Sequence, residues 1–103
     1  MRKEWRDIMI IAIYEYEIDP EDEKDYLKLT QEIIRPFWTD RGIKYSVFKS
    51  IEERSKFVKI MEFPSETFLN TALLDKDAET ERVVSLFKHY AKNLKRTLYK
   101  QIL

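Results

Sequence analysis

The stretch from Ile8 to Ile18 limits what this chain can fold into more than any other. It reads Ile-Met-Ile-Ile-Ala-Ile-Tyr-Glu-Tyr-Glu-Ile. Six consecutive apolar residues open it, and four of them are Ile. Such a run is too short for a core helix and rich in β-branched side chains, so it predicts a strand covered on both faces. From Tyr14 the residues alternate strictly, which turns one face of the strand's second half toward water or charged partners. Apolar side chains above and below a strand need helices on one side of its sheet and a second layer on the other.

The following residues supply the helices. Asp19-Pro20-Glu21-Asp22-Glu23 is a helix start, with an acid at the cap, Pro in the first turn and acids behind it. Tyr26, Leu27, Leu29, Ile33, Ile34, Phe37 and Trp38 then recur at helical spacing. Their stripe is about 180° wide, broader than packing on one sheet requires, which points part of it at a partner chain. Pro36 interrupts the pattern and predicts a kink or break near Ile34–Arg35. Gly42 is placed to end the helix in the left-handed conformation.

Ile43–Ser50 and Lys56–Phe63 read as a strand pair around the polar turn Glu52-Glu53-Arg54-Ser55. A register with Tyr45 opposite Met61 and Lys44 opposite Glu62 sets unlike charges together on the less apolar face. Pro64 stops the second of these strands. Ser65–Leu74 then predicts a short helix with Phe68, Leu69, Ala72 and Leu73 on its apolar side. Asp75-Lys76-Asp77 is a break, and Asp77 caps a longer helix with Val83, Val84, Phe87, Tyr90, Ala91 and Leu94 on one stripe. Leu94–Leu103 is expected to return as a last strand, from about Arg96, with Thr97, Tyr99, Gln101 and Leu103 on one face.

The order strand, helix, strand, strand, helix pair, strand predicts an α+β, ferredoxin-like βαββ(αα)β antiparallel sheet with helices on one face. At 103 residues one domain, 1–103, is expected, with 1–7 as an N-terminal extension. Right-handed crossovers place the first strand in the middle, between the third and the fourth. Lys95 and Arg96 then lie near Glu15 and Glu17, so two charge blocks meet. One holds seven acids between Glu15 and Asp25, and the other holds six Lys/Arg from Arg82 onward with no acid.

In element order, in the acidic first helix ending at Gly42, and in the broken second crossover, the chain resembles the dimeric α+β barrel proteins. That group includes antibiotic-biosynthesis-type monooxygenases, muconolactone isomerases and stress-responsive barrel proteins. The resemblance covers Ile8 to Leu103. It implies a homodimer in which two open sheet faces pack into a barrel, and a ligand pocket between sheet and helices. It implies no particular chemistry, because the group hosts unrelated activities. The His-rich helix positions of some members are missing here, which argues against haem.

No catalytic residue stands out. His89 is the one His and falls on the solvent side of its helix, beside Arg82, Ser85 and Lys92. With no Cys and one His, transition-metal sites are disfavoured. The acids Asp19, Glu21, Asp22, Glu23 and Asp25 lack the Gly and ligand spacing of a calcium loop. We expect no metal and no cofactor. No phosphate-binding Gly loop and no Ser-His-Asp pattern is present.

The candidate ligand contacts are Tyr14, Trp38, Arg41, Tyr45 and Tyr90, an aromatic set with one cation that suits a planar or anionic organic molecule. The fourteen aromatic residues serve equally as plain core. No run approaches the roughly 20 apolar residues of a membrane span, and the first residues do not read as a signal peptide, so a cytoplasmic protein with no membrane partner is expected. One Gly, no Cys and heavy Lys/Glu use resemble a thermophile's composition.

The first functional reading is a small homodimeric barrel that binds or converts a small aromatic or anionic molecule without metal. The second is an interaction module whose dimer is its function. The third, RNA binding, is disfavoured by the zero net charge and by a third strand with Met61 and Glu62 where that fold carries aromatics.

Overall fold

The computed structural model describes residues 8–74 and 76–103. The extension read at residues 1–7, and Asp75 of the predicted break, lie outside them. Four strands form one antiparallel sheet: β1 (Ile10–Glu17), β2 (Lys44–Lys49), β3 (Lys56–Phe63) and β4 (Lys92–Lys100), in the spatial order β2-β3-β1-β4. The first strand is therefore interior, as its apolar run predicts. Its helix-side residues Ala12, Tyr14 and Tyr16 are buried, while Ile11 and Ile13 on the other side are half-buried. The fold is the ferredoxin-like α+β arrangement.

The hairpin register is the expected one, with Tyr45 opposite Met61 and Lys44 opposite Glu62. The turn lacks Gly and Asn because Ser50 does their work: its Oγ accepts from the backbone N–H groups of Glu52 (3.1 Å) and Glu53 (3.0 Å).

The first crossover departs from a plain helix. A 3₁₀ turn at Pro20–Asp22 precedes α1 (Glu23–Leu29), and the Asp19 side chain ion-pairs with Lys92 instead of capping. A π-helical turn at Thr30–Ile34 then leads into α2 (Arg35–Thr39). Pro36 has no N–H to give, and the widened turn sends the Arg35 N–H to the Thr30 carbonyl. The predicted break is thus a π turn. The buried stripe also narrows to Tyr26, Thr30, Ile34, Phe37 and Trp38, leaving Leu27 and Ile33 exposed.

Gly42 closes α2 at φ +81°, with its N–H on the Thr39 carbonyl (3.1 Å) and the Ile43 N–H on the Trp38 carbonyl (3.1 Å). Both bonds of a Schellman motif are present, and they seat Trp38 and Ile43 together in the core.

α3 (Glu66–Leu73) and α4 (Ala78–Tyr90) complete the helical layer, with Asp77 Oδ1 accepting from the Thr80 N–H at 2.7 Å as an N-cap. The helix ends at Tyr90, not at Leu94, and β4 starts at Lys92, not near Arg96. Asn93 makes this abrupt change possible. It adopts φ +53°, which Asn tolerates, at a register irregularity between Glu15 and Glu17. Its Nδ2 donates to Glu17 Oε2 at 2.5 Å. Gln101 and Leu103 fall beyond the strand and are exposed.

An added Cβ at Gly42 would meet only Phe68 Cε2, at an ordinary 3.5 Å, so the backbone conformation alone opposes substitution. Gly42→Ala should therefore lose about 1–2 kcal/mol, the cost of the left-handed region for an L-residue. Urea unfolding measures this, and an unchanged midpoint would contradict the assigned cap.

Candidate functional site

On the helix side of the sheet one cross-strand row holds Val47, Lys59, Tyr14 and Arg96, on β2, β3, β1 and β4 respectively. Neighbouring strands are about 4.8 Å apart, so the Lys59 and Arg96 backbones stand about 10 Å apart with Tyr14 between them.

Lys59 is the unusual member. It is only 4% exposed. Its Nζ lies 3.3 Å from the centroid of the Phe87 ring on α4, 4.2 Å from that of Tyr14 and 5.3 Å from that of Tyr45. Among the described residues no carboxylate pairs with it. Ring faces attract a cation, but they do not replace its hydration. Burial consequently pushes the Lys59 amine well below the ordinary lysine range.

This amine lines a cavity of about 340 Å³ between the sheet and α4. Tyr14, Trp38, Met61 and Phe87 give it an aromatic and apolar wall. Lys76, Lys88 and Arg96 bring the basic side chains around it to four, with no acid among the described residues of the lining. Arg96 is exposed, as is almost all of β4, so this side of the cavity reaches solvent. Burial raises the Tyr14 phenol, and the Arg96 charge pulls it partly back, so Tyr14 stays protonated at neutral pH.

The five residues singled out in the sequence do not converge. Tyr14 and Trp38 line this cavity. Arg41 does not. Its guanidinium sits 3.6 Å over the Phe37 ring, donates to the Phe37 carbonyl (2.9 Å) and pairs with Glu79 (3.4 Å). It also borders a separate depression of about 320 Å³ beside Trp38, Ile43 and Phe68. Tyr45 is buried, and among the described residues its hydroxyl has no hydrogen-bond partner. Tyr90 packs on Tyr26, ring centroids 6.0 Å apart, away from the cavity. His89 is exposed.

Sequence reasoning missed Lys59 and Arg96, although the strand register carried the signal. Setting Tyr45 opposite Met61 puts Phe57, Lys59, Met61 and Phe63 on the helix face, and Lys59 is the polar member of that set. The same register turns the rings of Phe57 and Phe63 into the core, where no base could stack on them.

No family model matches the sequence, and no curated protein does. Solved structures do match. A conserved protein from Methanosarcina mazei is 15% identical, with a TM-score of 0.74 over 95% of this chain and 97% of the other. An antibiotic biosynthesis monooxygenase is 20% identical, with a TM-score of 0.69 over 91% and 99%. SnoaB, a cofactor-independent oxygenase from Streptomyces nogalater, is 9% identical, with a TM-score of 0.71 over 92% and 94%. The chain has the ferredoxin-like α+β fold of the antibiotic biosynthesis monooxygenases. At these identities the likeness is one of fold, and the cavity's lining is this chain's own.

The Lys59 environment has a measurable consequence for stability. The unfolded chain keeps the ordinary lysine value near 10.5, above the depressed folded value. Between the two the unfolded state binds more protons, so stability rises with pH, by up to about 1.4 kcal/mol per unit. The contribution is complete above 10.5 and is lost as pH falls through the folded value. Lys59→Met should thus be more stable than the wild type at neutral pH, by a margin that shrinks as pH rises. Urea midpoints of both proteins at several pH values measure it, and a constant margin would place the amine in water.

Proposed function

We propose that the cavity under α4 takes a small planar or aromatic organic anion, and that two copies of the chain pack through their open sheet faces. The observation that carries the ligand reading is the lining itself: the cations Arg96, Lys76 and Lys88, no described acid, and a wall of Tyr14, Trp38 and Phe87. Cations without acids create a positive potential focused in a low-dielectric cleft, which draws in an anion. The aromatic wall suits a flat apolar body behind the charge. Arg96 is the group best placed to fix a carboxylate, since it combines exposure with a planar fork of donors. Lys76 and Lys88 add charge at the periphery. The volume of about 340 Å³ admits a molecule of one or two rings. The reading needs no metal, and one fold neighbour is a cofactor-independent oxygenase.

The dimer reading rests on the opposite face. Ile11, Ile13, Val58, Ile60, Phe48 and Tyr99 stand there in adjacent rows, and Phe48 and Tyr99 are each 53% exposed. A patch of that kind on a small protein marks a contact surface. Stacked sheets would place a second copy about 10 Å away.

Thermal-shift titration with benzoate and larger aromatic carboxylates should raise the melting temperature, by the equivalent of about 2.7 kcal/mol at a hundredfold excess over Kd. Neutral amides of the same acids should not. Arg96→Ala should weaken binding about tenfold, the worth of one charge-assisted hydrogen bond. A panel in which amides and acids behave alike, or in which nothing binds, would leave the dimer surface as the function.

Sedimentation at micromolar concentration should give a species near twice the 12.6 kDa chain mass. Ile13→Asp, which places a charge in the centre of the open face, should shift it to monomer. A monomeric wild type would remove the dimer.

A further inference from the structure

Lys59 is a buried primary amine that the anion-binding reading does not use, because Arg96, Lys76 and Lys88 already supply exposed or peripheral charge. Its position has a separate chemical meaning. The Nζ sits against the faces of Phe87 and Tyr14 and still borders the cavity. Every described titratable group around it is a phenol or a base: Tyr14 on β1, Tyr45 on β2, Arg96 on β4, Lys88 on α4 and Lys76 before it. No described carboxylate pairs with an ammonium there, and burial opposes one. An amine in such surroundings keeps its lone pair, which makes it a nucleophile toward carbonyl carbon.

We propose that Lys59 captures the aldehyde or ketone group of a small organic acid as an imine, with the acid's carboxylate held at Arg96. The inference rests on the anion-binding reading for its carboxylate and on the Lys59 geometry for its chemistry. The two anchor points sit about 10 Å apart at the backbone, and both side chains lean over the same face. A ligand carrying a carbonyl and a carboxylate across one ring is long enough to meet both.

The step balances without an oxidant or reductant. The Nζ lone pair attacks the carbonyl carbon, a C–N bond forms, and the carbonyl oxygen takes up a proton as the nitrogen loses one. The resulting carbinolamine loses its hydroxyl, with a proton, as water, and the nitrogen's second proton leaves as the C=N bond forms. Tyr14, protonated and next to Lys59 in the row, is the nearest described hydroxyl-bearing group of the lining able to pass the proton to the departing oxygen.

The probe is 4-carboxybenzaldehyde, with sodium cyanoborohydride to reduce any imine to a stable secondary amine. Intact mass and peptide mapping of the full chain near pH 7 should show one adduct, on Lys59. Benzoate should slow its formation, and Lys59→Met and Lys59→Arg should not form it. In the wild type alone, adduct formation at exposed lysines should fall about tenfold per pH unit below the ordinary lysine value, while at Lys59 the fall should begin only at lower pH. That comparison holds even where a variant fails to fold. Labelling spread over exposed lysines with Lys59 no faster, or Lys59 following the same pH slope, would overturn the proposal. If benzoate binds in an Arg96-dependent way and Lys59 is not labelled, imine capture alone fails. If benzoate does not bind either, the anion reading fails with it.

Discussion

Both backbone edges of β1 are occupied, by β3 on one side and β4 on the other, and the rest of the structure depends on that double pairing. It decides which side chains share a row and therefore which can form a site. It also decides how the segregated charges meet. Glu15 stands opposite Lys95, Glu17 holds the Asn93 side chain, and Asp19 pairs with Lys92. Part of the acidic block and part of the basic block thus face each other across one strand pair. In the row where the β1 side chain is Tyr14, with Arg96 beside it and Lys59 on its other side, no acid stands opposite the cations.

The helical layer is tied to β1 through aromatic rings. Tyr16 stacks on Phe57, its cross-strand partner, with centroids 5.9 Å apart. It meets Phe87 edge-on at 5.0 Å, and its hydroxyl hydrogen-bonds that of Tyr26 at 2.5 Å. Each such ring pair adds about 0.5–1.5 kcal/mol beyond its burial, and the paired hydroxyls satisfy one another in a place water does not reach. Phe87 is therefore shared. One side of its surroundings locks α4 to Tyr16 and Tyr26, and its ring face covers the Lys59 amine. The cavity wall is part of the aromatic core, which keeps the amine's position defined.

Much of this architecture was legible because local signals agreed with one another. The apolar run of β1, Gly42, the Asp77 cap and the charge match of Lys44 with Glu62 each pointed to the element observed. The misreadings have specific causes. Leu94 continues the spacing of Val83, Phe87 and Tyr90, so periodicity carried the helix too far, and only the backbone freedom of Asn93 explains a strand that begins two residues after a helix ends. Leu27 and Ile33 are the exposed part of the wide first stripe, and the π turn resets the phase between α1 and α2 where Pro36 predicted a break. For the site, residue type misled. Aromatic residues were ranked as ligand contacts, yet the core and a pocket use the same rings. Arg41 looked available, but its contacts with Phe37 and Glu79 engage it elsewhere. Lys59 went unnoticed because a lysine is read as solvated by default, even where the register turns it toward the helical layer.

A lysine in that place is expensive to keep. An apolar residue of similar length would fill the space among Phe87, Tyr14 and Tyr45 without desolvating a charge. The fold provides no structural compensation among the described residues: no acid and no hydrogen bond, only the faces of rings. Inward positions on either side of Lys59 along β3, Phe57 and Met61, follow the ordinary rule and are apolar and buried. The exception thus coincides with a stretch of the inner face where the helical layer leaves a cavity, and it shares a row with the exposed guanidinium of Arg96 at that cavity's margin. Departures from local consistency concentrate where a protein acts on something else. Here the departure is a buried amine, set against rings that belong to the core and facing a space whose other described charges all have the same sign.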